Sequence, residues 1–578
     1  MTRWSRLMPY LQVAPLTMVL LVFLGVPLAV VVAVSFFDYD DFTVSPAFLV
    51  RNYLELFGSG LTYRLYLNTL QYAAVVWALT LVIGSTVAYF LVFHVRTTLW
   101  RIALVLLCTV PFWTSNIIRM IAWIPFLGLN GIFNQSLLAL GVIDAPLEFL
   151  LFSDVAVVIA YVHLFTLFMI VPIVNAMARI DPAVMEAAVD AGAGPWRVVW
   201  EVVLPLSKSG IALGSIFVVA LVMGDFFVVK VLSGGQSASV VLAMSNEIAL
   251  LQYPPAAASA VVLMLMVIAM VAGILRLVDV RQELSGQGGE TVMRQQSTGR
   301  RPWSFYALAA GFTVFVLFLY GPMFAIYLLS FQGPSGSLTF PMRGVSLQWF
   351  VALFAQQRTG DVAGALLRSL ALAILVLVLT VVMAVIAGMA FRRRFVGASL
   401  VFYLAIASLV MPGLLVGLGI GLMCQLLGLQ PNWYTSALGA QLTWTLPFGL
   451  LIMFAVFSRF NLFYEEAARD LGASSWQTLS HVILPILLPG IIGVALFGFT
   501  LSYDEFARTM LTVGSRNTLP LEIWAMTTNV TSPALYALGT LTTGVSFVAI
   551  SLCLGMIRYL HLRRLPRDRG RTPPATRM

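Results

Sequence analysis

Carboxylates set inside long apolar runs are the residues here most able to do chemistry, because a charge held in hydrocarbon is costly and needs a partner or a function. The run LSYDEFARTML holds Asp504 and Glu505, and LVMGDFFVVKVL holds Asp225. A constant offset of 280 residues pairs Asp225 with Glu505 and Phe226 with Phe506. Acids meeting at one depth beside an aromatic ring would form a passage that favours cations, so all three are candidates for a translocation path. A structural reading stays open beside it. Asp225 would then pair with Lys230, and Asp504 with Arg508 one turn along. Asn116 and Arg119, in another apolar run, read as packing polarity.

Other reactive side chains read as structural. Cys108, Cys424 and Cys553 all lie in apolar runs without metal-ligand spacing, which suits small buried hydrophobes. His163 sits inside an apolar run, where a lone histidine is more often a hydrogen-bonding group between helices than a ligand. His94, His481 and His561 fall in connecting segments. No catalytic residue, metal site or cofactor is expected. The chain has no Walker A pattern and so no means of hydrolysing ATP by that route.

The elements that must position the acids follow from composition. Hydrophobic residues make up 60% of the 578-residue chain and charged ones 10%, with a mean hydropathy of +0.95, which excludes an ordinary soluble domain. The fold class expected is an all-α membrane protein with about 12 transmembrane helices as two parallel six-helix repeats. The first span ends near residue 37, and the next five lie near 66–93, 102–123, 155–176, 210–232 and 257–277. Spans seven to twelve lie near 305–329, 365–391, 400–427, 438–457, 489–511 and 534–559. This divides the chain into a first half at 1–280, a Gly-, Gln- and Ser-rich linker at 281–302, a second half at 303–562 and a basic tail at 563–578. The net charge of +9 comes from arginines and lysines in short loops, so it signals topology and not nucleic-acid binding. By that rule both termini are cytoplasmic.

One stretch occurs twice. Residues 186–211 (EAAVDAGAGPWRVVWEVVLPLSKSGI) and 466–491 (EAARDLGASSWQTLSHVILPILLPGI) align without a gap and agree at 12 of 26 positions, against about two by chance. Each copy predicts a short helix ending on glycine, an amphipathic turn carrying Trp196 or Trp476, and a Leu-Pro stop. Such a knob suits docking. A pair of interfacial helices anchored by tryptophan is the alternative, and two copies in register count against it.

The stretch resembles the EAA loop of bacterial ABC importer permeases, and the chain is similar to two type I permeases fused end to end. RMIAW…LGLNGIFN (from Arg119), ARIDPAVMEAA and GDFFVVKVLSGG resemble the first permease of spermidine/putrescine importers. VMPGLLVGLGIG, LSYDEF and LPLEIWAM…SPALYALGTL resemble the second. The resemblance implies coupling helices gripped by a cytoplasmic ABC ATPase dimer, which binds the ATP. Their residues would be Glu186, Ala187, Ala188, Asp190, Gly192 and Ala193, with Glu466, Ala467, Ala468, Asp470, Gly472 and Ala473 in the second copy. It also implies an external solute-binding protein, a multi-pass place among the lipids of a bacterial inner membrane, and a small-molecule solute. That solute would be a polyamine such as spermidine or putrescine; ferric iron, thiamine, aminoethylphosphonate and opines are alternatives. Asp225 departs from the pattern, since a Glu is expected there. A reading from a different class is an ion-coupled secondary transporter, which would have no use for two ATPase-docking loops.

Overall fold

The computed structural model describes residues 3–40, 44–95, 97–278, 303–336, 338, 340–355, 361–393, 395–458, 460–529 and 532–564. The expected linker at 281–302 lies outside these residues, as do residues 565–578 of the expected tail. Apart from a two-residue antiparallel ladder (Asp38–Tyr39 with Val44–Ser45) and one isolated bridge, the regular structure described is helical. Apolar composition forces this. In hydrocarbon a backbone can satisfy its own polar groups only within a helix or a closed barrel.

The first part of the chain contributes α1 (Leu7–Val34), α2 (Gly60–His94), α3 (Thr98–Thr109), α4 (Asn116–Ile121), α5 (Asp154–Met177), α6 (Pro182–Asp190), α7 (Lys208–Gly224), α8 (Phe227–Leu232) and α9 (Tyr253–Leu277). The second contributes α10 (Trp303–Leu329), α11 (Val362–Phe391), α12 (Ala398–Val410), α13 (Gly413–Leu426), α14 (Ser436–Phe457), α15 (Phe463–Asp470), α16 (Leu484–Tyr503), α17 (Leu519–Asn529) and α18 (Ala534–Arg564). Among the described residues, nine helices are long and apolar enough to cross a membrane, or up to eleven if each of two bent pairs is one span, against the 12 expected.

Four expected spans differ from the reading of the sequence. The third, expected at 102–123, breaks between α3 and α4 around Pro111, with Thr114 extended. The ninth, expected at 400–427, bends by 105° between α12 and α13. There Met411 is extended because it precedes Pro412. The fifth is interrupted at Asp225, which is extended between α7 and α8. The eleventh ends at Tyr503 instead of 511. All three candidate acids therefore stand at helix ends and not inside continuous helices. That matters because helix ends leave backbone N–H and C=O groups without partners.

Packing follows the repeat. Helices α2, α5 and α7 pack on one another, and α11, α14 and α16 do the same. The first helix of each part lies across the other part. Helix α1 packs on α11, α13 and α14, with Leu16 and Leu20 fully buried. Its close seat needs small residues, since a Cβ on Gly419 would stand 2.6 Å from the Pro27 carbonyl oxygen and one on Gly439 would overlap the Phe23 ring. Helix α10 in turn packs on the end of α2 and on the short helix Trp123–Leu127. There His163 Nε2 lies 3.0 Å from the Leu319 carbonyl oxygen, and Trp123 Nε1 donates to His163 Nδ1 at 3.0 Å. The histidine uses both ring nitrogens to fasten one helix to another.

Candidate functional site: an acid-lined cavity and two docking loops

Helices α7 and α16 each leave one copy of the repeat and run toward the acids. They end at the same layer, because the rings of Phe226 and Phe506 lie 5.9 Å apart and those of Phe227 and Phe506 5.0 Å apart. Phe226 and Phe506 are repeat-related, so they meet where a pseudo-twofold axis would pass. Beside them lies a cavity of about 160 Å³ lined by Asp225, Asp504 and Glu505 together. The broken helices contribute Asn116, Pro412 and Gly413 to the wall, α5 contributes Leu164, Phe165 and Phe168, and α14 adds Trp444.

Each acid is held by a specific donor. Asp225 Oδ1 accepts from the Val228 N–H at 2.9 Å and from the Tyr161 hydroxyl at 3.2 Å. Glu505 Oε1 accepts from the Arg508 N–H at 2.8 Å. Both Asp504 oxygens accept from the Asn116 N–H, at 2.8 and 2.9 Å. That last bond joins the end of α16 to the start of α4, two segments 388 residues apart. The Asn116 side chain meanwhile accepts from Arg119.

Among the described residues, neither the Asp225–Lys230 nor the Asp504–Arg508 ion pair forms. Lys230 turns to the Trp524 ring, its Nζ 4.8 Å from the centroid. Arg508 is 2% exposed and donates to the Ser408 and Met411 carbonyls, at 3.0 and 3.4 Å, at the end of α12. Its guanidinium stacks 4.5 Å from the Trp444 centroid. Thus Asp504 caps an N-terminal break and Arg508 a C-terminal one, the polarity that helix dipoles favour. Three carboxylates and the Arg508 guanidinium therefore share the wall of the cavity.

Nearer the repeats, five phenylalanines close a circuit. Ring centroids run Phe112–Phe168 at 5.3 Å, Phe168–Phe217 at 6.2 Å, Phe217–Phe448 at 5.8 Å, Phe448–Phe497 at 6.5 Å and Phe497–Phe112 at 6.2 Å. Four of them are repeat-related, Phe168 with Phe448 and Phe217 with Phe497. Phe217 lies eight residues before Asp225, or about 12 Å along the helix. Two of the five, Phe112 and Phe168, also line the cavity, so the circuit borders it on the side of the loops. The offset that pairs Phe226 with Phe506 would have found these pairs too. Tyr161, Trp444 and the capping role of Arg508 have no such signal.

The two copies of the repeat share one backbone form. Helices α6 and α15 each end in a left-handed glycine, Gly192 at φ +87° and Gly472 at φ +82°. In each copy the next N–H closes a six-residue loop, Ala193 to the Ala188 carbonyl and Ala473 to the Ala468 carbonyl, both at 3.0 Å. Glu186, Ala187, Asp190, Glu466, Ala467 and Asp470 are exposed, while Ala188, Ala193, Ala468 and Ala473 are half-buried. Trp196 is 73% exposed and Trp476 71%. Each loop thus exposes a tryptophan and two carboxylates, at matching positions in both copies.

Residues 380–567 match the family model of the binding-protein-dependent transport system inner membrane component. The spermidine/putrescine transport system permease protein PotB of Haemophilus influenzae is 34% identical over 220 residues, which cover 38% of this chain and 75% of that protein. PotB of Escherichia coli is 32% identical over 219 residues, covering 38% and 78%. PotC of Escherichia coli is 27% identical over 246 residues, covering 42% and 91%.

Proposed function

The chain belongs to the inner-membrane components of binding-protein-dependent transport systems, and on that premise we propose that it carries both permease halves of an ATP-driven importer for a small cationic solute, a polyamine such as spermidine or putrescine. As a multi-pass permease subunit it is a transport component and not an enzyme, and it works with an ATPase and a solute-binding protein. The halves are residues 1–280 and 303–562, joined at 281–302. Both termini and both loops face the cytoplasm, where one ATPase subunit grips residues 186–193 and the other residues 466–473.

The observation that carries the solute class is the cavity that unites Asp225, Asp504 and Glu505 beside Phe506. Ammonium groups suit carboxylates, and each aromatic face adds roughly 0.5–2 kcal/mol to a cation it covers. The five-phenylalanine circuit bars the way inward until ATPase closure moves the halves as rigid bodies. PotB and PotC are themselves spermidine/putrescine transport system permeases.

Vesicles holding this chain with its ATPase and binding protein test the reading. ATP-dependent uptake of labelled spermidine or putrescine is expected. ATP hydrolysis stimulated by the binding protein without polyamine uptake would move the solute to ferric iron, thiamine, aminoethylphosphonate or an opine. Uptake driven by an ion gradient without ATP would sink the importer reading.

A further inference from the structure

The two loops are alike in backbone and unlike in what holds them. Arg392 follows the last turn of α11, and its Nη1 lies 2.6 Å from Glu465 Oε1 on the first turn of α15. The two side chains are only 18% and 13% exposed. The same guanidinium stands 5.3 Å from the Phe457 centroid and 5.0 Å from that of Phe460. Phe457 ends α14, so one cation ties the ends of α11, α14 and α15 together.

The gapless offset of 280 puts Met177, Ile180 and Met185 where Phe457, Phe460 and Glu465 stand. Met177 and Ile180 are buried and Met185 is half-buried. These side chains offer neither a carboxylate nor an aromatic face, so they cannot hold a cation in the same way. Apolar packing lets surfaces slide, whereas an enclosed ion pair flanked by rings holds its two elements at a fixed distance. Arg469 Nη2, 3.9 Å from Glu465 Oε2 on the same helix, is the more exposed second partner. Helix α11 packs along α16, which leads to Asp504 and Glu505. A push on α15 therefore has a stiff route to the acid layer through this pair, and at the three aligned positions the first loop has apolar side chains instead.

We propose that Arg392 and Glu465 are positioning residues that clamp the second loop to α11, so that the ATPase stroke enters the pathway mainly through the second half. This rests on the reading of the loops as ATPase docking elements. In vesicles with the ATPase and binding protein, the readout is labelled spermidine imported per ATP hydrolysed. Arg392→Met and Glu465→Met are each expected to lower that ratio about tenfold, within the range that coupling between sites usually spans, while the ATPase rate holds and Tm falls only modestly, as for any enclosed charge left without its partner. The double variant loses no more than either single one, Arg392→Lys recovers most of the ratio, and Met185→Leu in the first loop leaves it unchanged.

An unchanged ratio in both single variants overturns the clamp, and so does a double variant whose loss is the product of the two. Joint loss of ATPase rate, uptake and Tm also overturns it, because the pair would then support the fold and not the coupling. A wild-type chain that neither binds the ATPase nor imports with ATP sinks the docking reading instead. The two failures are distinguished because one appears in the variants and the other in the wild type.

Discussion

Asp504 and Arg508 stand four residues apart and cap opposite ends of two different broken helices. Breaking a helix at membrane depth frees groups that lipid cannot satisfy. The Asn116 N–H finds Asp504, and the Ser408 and Met411 carbonyls find Arg508. Removing the guanidinium by Arg508→Met leaves those carbonyls without it, and about 1–3 kcal/mol of stability is expected to be lost. A lowered Tm in detergent reads this. Asp225 has a different balance, since its partners are a neutral hydroxyl and a local N–H. Asp225→Asn is expected to cut uptake of a cationic solute severalfold with little change in Tm, whereas Asp504→Asn lowers both. Gly192 and Gly472 have open space where a Cβ would go, so only their positive φ resists substitution. Gly472→Val is expected to cost about 1–2 kcal/mol of local strain and to abolish co-purification with the ATPase, while Gly472→Asn, which tolerates that conformation, retains it.

At the scale of elements, the start of α11 is pinned from two sides. Asp361 caps it by accepting the Gly364 N–H at 2.9 Å, and Arg368 joins Asp361 at 3.0 Å and the Asn517 carbonyl at 2.8 Å. The Gly364 N–H and then the Arg368 guanidinium hold the Asp361 carboxyl below its ordinary value of 3.8. A lowered value means that the cap contributes fully above the ordinary carboxylate range and is lost as pH falls through the lowered one. The protection of the first-turn amides of α11, taken relative to their intrinsic exchange rate, is therefore expected to be flat near neutral pH and to fall only below about pH 4. Protection in Asp361→Ala should be low at every pH. Unchanged exchange in that variant would show that packing alone holds the turn.

For the whole molecule, the exchanged positions of α1 and α10 decide how the chain can fold. Each lies on helices from the other part, so neither part buries its surfaces alone. Residues 1–280 and 303–578 produced as separate chains are expected to be unstable singly and to co-purify when made together. A monodisperse, folded first half on its own would contradict this. Phe23 seated on Gly439 gives a finer test, because Gly439→Leu removes the space that the ring occupies. Loss of co-purification in that variant would locate the assembly at the α1 seat.

Much of this was legible in the chain alone. Hydropathy dictated helices, because a membrane allows no other open form, and the 280-residue offset paired Phe226 with Phe506 and one loop with the other. The glycines predicted where the loop helices stop, since a left-handed residue after a helix is a local requirement. The partners of the acids were not legible. Local spacing pointed to Lys230 and Arg508, yet Asp504 reaches an N–H 388 residues away and Arg508 reaches the carbonyls of a bent helix. Only the tertiary fold could decide this, because a charge chooses its partner by distance and by which backbone groups lie unpaired, and both are set by how the helices break and pack.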